Sequence, residues 1–369
     1  MSTFDDTVTA LSLCLSAGEP VVLWGPPGVG KTAVVEALSV ANGWACETVI
    51  ASVREPSDFA GLPVVSGDGN VRLAPPAWAT RIVAADGGVV FFDEITTAPP
   101  SVQAALLRPL TDRWVGDVRL PAATRFVLAA NPPEIAADGW ELSAPLANRM
   151  VHLEWSLPGD VVATGLAQGF RDVDVPTLDP AAVAEHETQA RILVGGFLHH
   201  RRDLVVHAPT ERAETTRAFP TPRTWEKAAR LLAHAQAAGV GDSVVRVLLT
   251  GTIGQAATIE FLQWQWALDL PDPEHILRAP QEFRAPSRPD LVHPIASSLL
   301  AALRDKPTSA RATAMEQALV TLADAGHIDA VYSAATGLAR LRVKGWQPQP
   351  PFVVAFAQLV GALGDLRAA

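Results

Sequence analysis

Val21-Val22-Leu23-Trp24-Gly25-Pro26-Pro27-Gly28-Val29-Gly30-Lys31-Thr32-Ala33 is the stretch that decides the fold. Its first four residues favour a strand, its middle is a glycine- and proline-rich turn, and from Thr32 to Ala41 helical spacing places Val34, Val35 and Leu38 inward. G-x-x-x-x-G-K-[ST] bridging a strand and a helix is a phosphate-binding loop. Glycines are needed because the loop must curl until successive backbone N–H groups point inward, in conformations that a Cβ obstructs. The helix that follows adds its positive N-terminal end. Lys31 is placed to neutralise phosphate oxygens, and the Thr32 hydroxyl to ligate Mg²⁺.

Outward from this loop the same alternation recurs. Glu47 to Ala51 is strand-like, Gly88 to Phe92 is a fully apolar strand, Ser101 to Thr111 is helical, and Arg125 to Ala130 is another strand. Such alternation predicts a parallel sheet covered by helices. The apolar run Val89-Val90-Phe91-Phe92 ends in Asp93-Glu94, which reads as a Walker B motif. At the exposed end of a buried strand Asp93 can hold the Mg²⁺ shell, and Glu94 can polarise a water that attacks a phosphate.

Beyond about residue 155 helical spacing takes over. Helices are predicted over 159–168, 180–201, 222–238, 241–268, 294–304, 310–325, 328–341 and 352–363. Pro271 to Pro294 holds six prolines and charges of both signs, and reads as a linker. The resulting division is an α/β core at 1–155, a helical lid at 156–270, a proline-rich linker at 271–293 and a C-terminal helical unit at 294–369.

At 369 residues the chain exceeds what one hydrophobic core usually supports. Its apolar runs, such as Phe352 to Leu363, fall short of a bilayer span, so no membrane association is expected. The acidic start Met1-Ser-Thr-Phe-Asp-Asp lacks the pattern of an export signal, which predicts a cytoplasmic protein. Cys14 and Cys46 have no ligand spacing and read as buried reduced thiols. A formal charge of −10 disfavours non-specific nucleic-acid binding and favours a protein partner. His199-His200-Arg201-Arg202 lacks a completing carboxylate or thiol, and reads as a solvated helix end.

With both phosphate-site motifs in place, the rest of the chain resembles the AAA+ family. Phe126-Val-Leu-Ala-Ala-Asn131 looks like its sensor 1 strand, whose Asn positions the lytic water. Pro145-Leu-Ala-Asn-Arg149-Met is similar to the segment that supplies an arginine finger to a neighbouring subunit. Phe219-Pro-Thr-Pro-Arg223-Thr-Trp-Glu looks like the start of the sensor 2 helix, so that Arg223 touches the γ-phosphate from the lid. Thr221 as N-cap and Pro222 at the first helical position define that helix start. Arg113 is a possible second trans-acting arginine.

Ser57-Asp58-Phe59-Ala60-Gly61-Leu62-Pro63, the segment Asn70 to Ala77 and Ala98-Pro-Pro-Ser-Val-Gln-Ala-Ala-Leu-Leu resemble the MoxR branch and its inserted hairpin. The stretch Trp225 to Pro273, with Trp264 and Trp266, resembles bacterial ATPases paired with von Willebrand A-type proteins. The resemblance implies an AAA+ P-loop NTPase core with a parallel sheet, a helical lid and an extra C-terminal α-helical unit. It implies ATP and Mg²⁺ as cofactors, hydrolysis of ATP, and a homohexameric ring that remodels a partner through loops near Asn70 and Trp114 to Val118. Two further readings are an ATP-gated scaffold with slow turnover and a DNA-associated motor, for which the hairpin region offers only Arg72 and Arg81.

Overall fold

The computed structural model describes residues 3–132, 139–169, 176, 178–210 and 214–357. The chain divides into two compact units, Met1–Glu187 with Leu204–Ile259, and Thr188–Asp203 with Glu260–Ala369.

The first unit contains β1 (Val21–Trp24), β2 (Cys46–Ile50), β3 (Leu62–Val65), β4 (Val71–Ala74), β5 (Gly88–Asp93), β6 (Trp114–Val115), β7 (Val118–Arg119), β8 (Thr124–Ala130) and β9 (Val151–Glu154). Five of these strands form a parallel sheet in the order β2-β5-β8-β1-β9. β3 pairs with β4, and β6 with β7, as antiparallel hairpins. The helices of this unit are α1 (Phe4–Ser16), α2 (Lys31–Ala41), α3 (Ser57–Ala60), α4 (Ala77–Ala84), α5 (Pro100–Ala105), α6 (Leu107–Asp112), α7 (Ala144–Ala147), α8 (Gly159–Gln168), the first part of α9 (Pro180–His200), α10 (Pro222–Ala237) and α11 (Asp242–Ile253).

The sheet strands are apolar on both faces because both faces are covered. Val22, Trp24, Val90, Phe92 and Leu128 join Ile82 of α4 and Val102 of α5 in one core. Val21, Leu23, Val89, Phe91 and Val127 join Leu11 and Leu13 of α1, Leu231 of α10 and Leu248 of α11 in the other. Each such side chain, fully buried, contributes roughly 1.5–3 kcal/mol. α1 starts at a reciprocal capping box, in which the Thr3 Oγ1 accepts from Asp6 N at 3.2 Å and the Asp6 Oδ2 from Thr3 N at 2.7 Å.

Several expectations change here. β9 was not anticipated, since Val-His-Leu-Glu is too short and too polar to announce a strand. The helix expected over 101–111 breaks at Leu106 into α5 and α6. The inserted hairpin starts at Leu62, ahead of the stretch assigned to it. α10 and α11, read as part of a separate lid, share a core with the sheet. Buried Glu19, just before β1, is paired there with Lys227 and with Arg230 at 2.5 Å.

The second unit combines the end of α9, the end of α12 (Gln255–Trp266), α13 (Pro273–Arg278), α14 (Val292–Asp305), α15 (Ser309–Leu322), α16 (Ile328–Arg340) and α17 (Pro350–Ala355). The single helix expected over 241–268 is divided at Gly254 (φ 82) into α11 and α12. The expected linker is instead part of this unit's core, with Ile276, Leu277, Phe283 and Leu291 buried. Its prolines start short helical turns at Pro273, Pro280 and Pro289, where a missing N–H costs nothing. Trp264 packs 5.5 Å from Phe197 and donates its indole N–H to Asp290 at 2.9 Å, while Trp266 is exposed. The helix expected to reach Leu363 is seen as α17, which ends at Ala355, and residues 358–363 lie outside the described residues. Among the described residues no helix is long and apolar enough to cross a membrane.

Candidate nucleotide site

Because β1, β5 and β8 run parallel, their C-terminal ends meet at one edge of the sheet. That edge carries the loop Gly25 to Gly30, then Asp93 and Glu94, then Asn131. Ligands of open α/β sheets bind outside such carboxyl ends. Gly28 and Gly30 have φ of 80° and 79°, a region that L side chains rarely adopt, and Gly30 caps α2. Gly25 is constrained differently, since a Cβ there would lie 2.3 Å from the Trp155 carbonyl oxygen. Trp155 also donates its indole N–H to the Val29 carbonyl at 2.9 Å, pinning the loop from β9's end.

Lys31 is buried, and its Nζ donates to the carbonyls of Gly25 (2.6 Å) and Pro26 (2.9 Å) and to Asn131 Oδ1 (3.2 Å). Burial lowers its pKa, and the Asp93 carboxylate opposes that shift. Thr32 Oγ1 lies 3.4 Å from Asp93 Oδ2. A curled glycine loop at the start of α2, a buried ammonium and a hydroxyl–carboxylate pair are the donor set that a magnesium–nucleotide phosphate requires, so the residues fit that group. Pro26, Pro27 and Ala33 complete the loop and the first turn of α2.

Glu94 is a non-glycine residue at φ 58°. Its backbone N–H donates to Asp93 Oδ1 at 2.9 Å, and its side-chain Oε2 accepts from the Ser52 hydroxyl. Asn131 is fixed through its own N–H, which donates to buried Thr96 Oγ1 at 3.1 Å. Neither Ser52 nor Thr96 belongs to the sequence motifs.

Arg149 and Arg223 form a second group. Arg223 Nη1 donates to Asn148 Oδ1 at 3.0 Å, and Asn148 Nδ2 donates to Thr221 Oγ1 at 3.2 Å. Arg149 donates through Nε to Thr111 Oγ1 (2.9 Å) and through Nη1 to the Pro145 carbonyl (2.7 Å). Burial lowers the Arg149 pKa, the nearby Arg223 charge lowers it further, and Asp112 opposes both. Thr221 caps α10 as the sequence predicts, accepting from Thr224 N at 3.2 Å. Arg113 instead aims Nη1 at the carbonyls of Pro121, Ala122 and Thr124, at 3.0, 2.6 and 2.9 Å, and staples that loop. Asn148, which organises the arginine pair, stands directly before Arg149 in the quoted motif and was legible only as its neighbour.

The family described as "AAA domain (dynein-related subfamily)" matches residues 20–150. Protein MoxR of Methylorubrum extorquens is 36% identical over 112 residues, covering 30% of this chain and 32% of that one. Residues 20–150 carry an AAA domain, part of which is similar to MoxR. The transcriptional regulatory protein ZraR of Escherichia coli is 27% identical over 218 residues, covering 54% of this chain and 45% of its own. The chain therefore spans about a third of the length of MoxR and under half of ZraR. A crystal structure of a Cytophaga hutchinsonii protein is similar with a TM-score of 0.42 at 14% identity, covering 69% of this chain and 88% of that one. In the AAA+ domain the matched residues 20–150 hold the P-loop, Asp93, Glu94, Asn131 and Arg149, whereas Arg223 lies outside them.

Proposed function

We propose that this chain binds and hydrolyses Mg-ATP, and that it does so in a ring, best read as a homohexamer, which remodels a partner protein. The observation that carries the reading is the sorting of the polar residues into two groups. Lys31, Thr32, Asp93, Glu94 and Asn131 converge on one edge of the sheet. Arg149 and Arg223 stand together on α7's exit and α10's start, bridged by Asn148.

When bound, ATP with Mg²⁺ supplies the phosphoanhydride and the charge that the metal spreads. Lys31 would turn from its own loop's carbonyls to the phosphate oxygens, Thr32 and Asp93 would hold the metal shell, and Asn131 and Glu94 would orient the water and take its proton. Two arginines brought together from the end of α7 and the start of α10 favour a common target, so both would serve a neighbouring subunit's phosphate, each as a charge-assisted donor. The site is then complete only between subunits. The likeness of the Trp225 to Pro273 stretch makes a von Willebrand A-type protein the partner to try first, with nucleic acid disfavoured by the net charge.

The test is ATP hydrolysis per subunit against protein concentration, for the wild type beside Glu94→Gln and Arg149→Ala. Specific activity that rises cooperatively, with both variants reduced at least ~100-fold, is the expected result. ATP binding with negligible turnover at every concentration would instead favour the scaffold.

A further inference from the structure

Trp24, the last residue of β1 before the P-loop, is buried with its indole N–H donating to His152 Nδ1 at 3.0 Å. That bond leaves the imidazole's single proton on Nε2, which lies 2.9 Å from the Ala147 carbonyl and donates to it. Burial, with the nearby Arg217 charge adding to it, pushes the His152 pKa down to about 4, so one neutral tautomer persists. Ala147 ends α7, and the next two residues are Asn148 and Arg149. One chain of hydrogen bonds therefore runs from the strand that opens the P-loop to the turn that presents Arg149 and whose Asn148 accepts from Arg223.

The surroundings hold this chain in place. Arg217 stacks over Trp24 at 3.8 Å and is anchored to Glu154 at 2.7 Å. α11 lies directly on the His152 backbone, where a Cβ at Gly251 would come within 2.3 Å of the His152 oxygen. Apolar groups of the same shape would fill this space at little cost in stability, since replacing both partners of a buried hydrogen bond is often close to neutral. A donor–acceptor relay adds direction, fixing where the Ala147 carbonyl, and so the turn after it, must lie.

We propose that Trp24 and His152 are positioning residues for the Arg149–Arg223 pair. The strand that leads into one subunit's P-loop thereby also sets the arginines offered to the next subunit's site. The proposal rests on the reading that those arginines act in trans.

The experiment mixes two proteins that are each inactive. Lys31→Ala keeps its arginines but lacks the phosphate-binding ammonium, whereas Arg149→Ala keeps its P-loop but lacks the arginine. At equal amounts hydrolysis should reappear where a Lys31→Ala subunit faces an Arg149→Ala subunit. Adding Trp24→Phe to the Lys31→Ala protein keeps an aromatic ring beneath Arg217 and removes the N–H donor. Adding His152→Phe removes the relay's centre. Each double variant should recover at least tenfold less activity than Lys31→Ala does, with KM for ATP unchanged, because the working P-loop belongs to the other protein. Assembly of the Trp24→Phe double variant should match Lys31→Ala, with a Tm lowered by the loss of the donor to His152 Nδ1 yet well above the assay temperature, which separates placement from folding. Full recovery with Trp24→Phe overturns the proposal alone. Absence of recovery with Lys31→Ala itself, from an active wild type, overturns the trans reading and the proposal with it.

Discussion

Glu94 is held in a left-handed conformation by its neighbours, and its carboxylate accepts from the Ser52 hydroxyl on the turn after β2. If Glu94 takes the water's proton as proposed, a displacement of an ångström would cost much of its effect, so the hydroxyl that holds it would matter to turnover. Ser52→Ala should lower kcat about tenfold with KM for ATP nearly unchanged, while Ser52→Thr, which keeps the hydroxyl, should retain most of the rate. Steady-state ATPase assays on the three proteins decide this, and wild-type kcat in Ser52→Ala would show that Glu94 needs no help from Ser52. This residue also marks the limit of sequence reading. Lys31, Thr32 and Asp93 were legible because each belongs to a local pattern whose chemistry requires it. Ser52 with Glu94, Trp24 with His152, and Asn148 with Arg223 are 42, 128 and 75 positions apart, and nothing local marks these residues as pairs.

Among the elements, the two hairpins behave as one. Asp117 of the β6–β7 turn donates its N–H to the Leu73 carbonyl at 3.0 Å, and its Oδ2 accepts from Leu73 N at 2.8 Å. Gly116 (φ 58°) lets the chains touch, since a Cβ there would lie 2.4 Å from the Leu73 oxygen. Gly116→Ala should therefore split the hairpins, exposing the Leu73 amide and speeding its hydrogen exchange at least ~10-fold. Global stability should fall by only about 1–2 kcal/mol, because β3 is exposed along its length and holds little of the core. Unchanged exchange at Leu73 would mean that the hairpins are not held by this contact. Nothing in the sequence marks such a joint, since glycine in a turn is ordinary and the contact is visible only when both hairpins are placed. Proline misled in the opposite direction: a run of prolines over 271–293 suggested a linker, yet Pro273, Pro280 and Pro289 each open a short helical turn, and those at Pro273 and Pro289 bury Ile276, Leu277 and Leu291.

At the scale of the molecule, the parallel sheet was legible because strands covered on both faces become continuous apolar runs, as in Val89 to Phe92. The division into units was harder to read, since α10 and α11 look like any amphipathic helices and only their partners place them against the sheet. Packing of that kind buries polar groups, and His152 makes the cost measurable. Its folded pKa is about 4 against an ordinary 6.5. Above pH 6.5 both folded and unfolded forms are neutral there and the full stability is present. As pH falls below that value the unfolded chain takes up a proton that the folded chain refuses until about pH 4. Stability therefore declines across this window, by ~3 kcal/mol for this group. His199 and His293, both lowered chiefly by burial, add in the same direction. Thermal melts between pH 7.5 and 4 should show Tm falling in the wild type and falling less steeply in His152→Phe. The variant begins from a lower Tm at pH 7.5, because the Trp24 N–H is left unpaired at about 1–3 kcal/mol. Parallel curves for the two proteins would place the His152 proton affinity near that of a solvated imidazole, and would remove the basis for a single persistent tautomer in the relay.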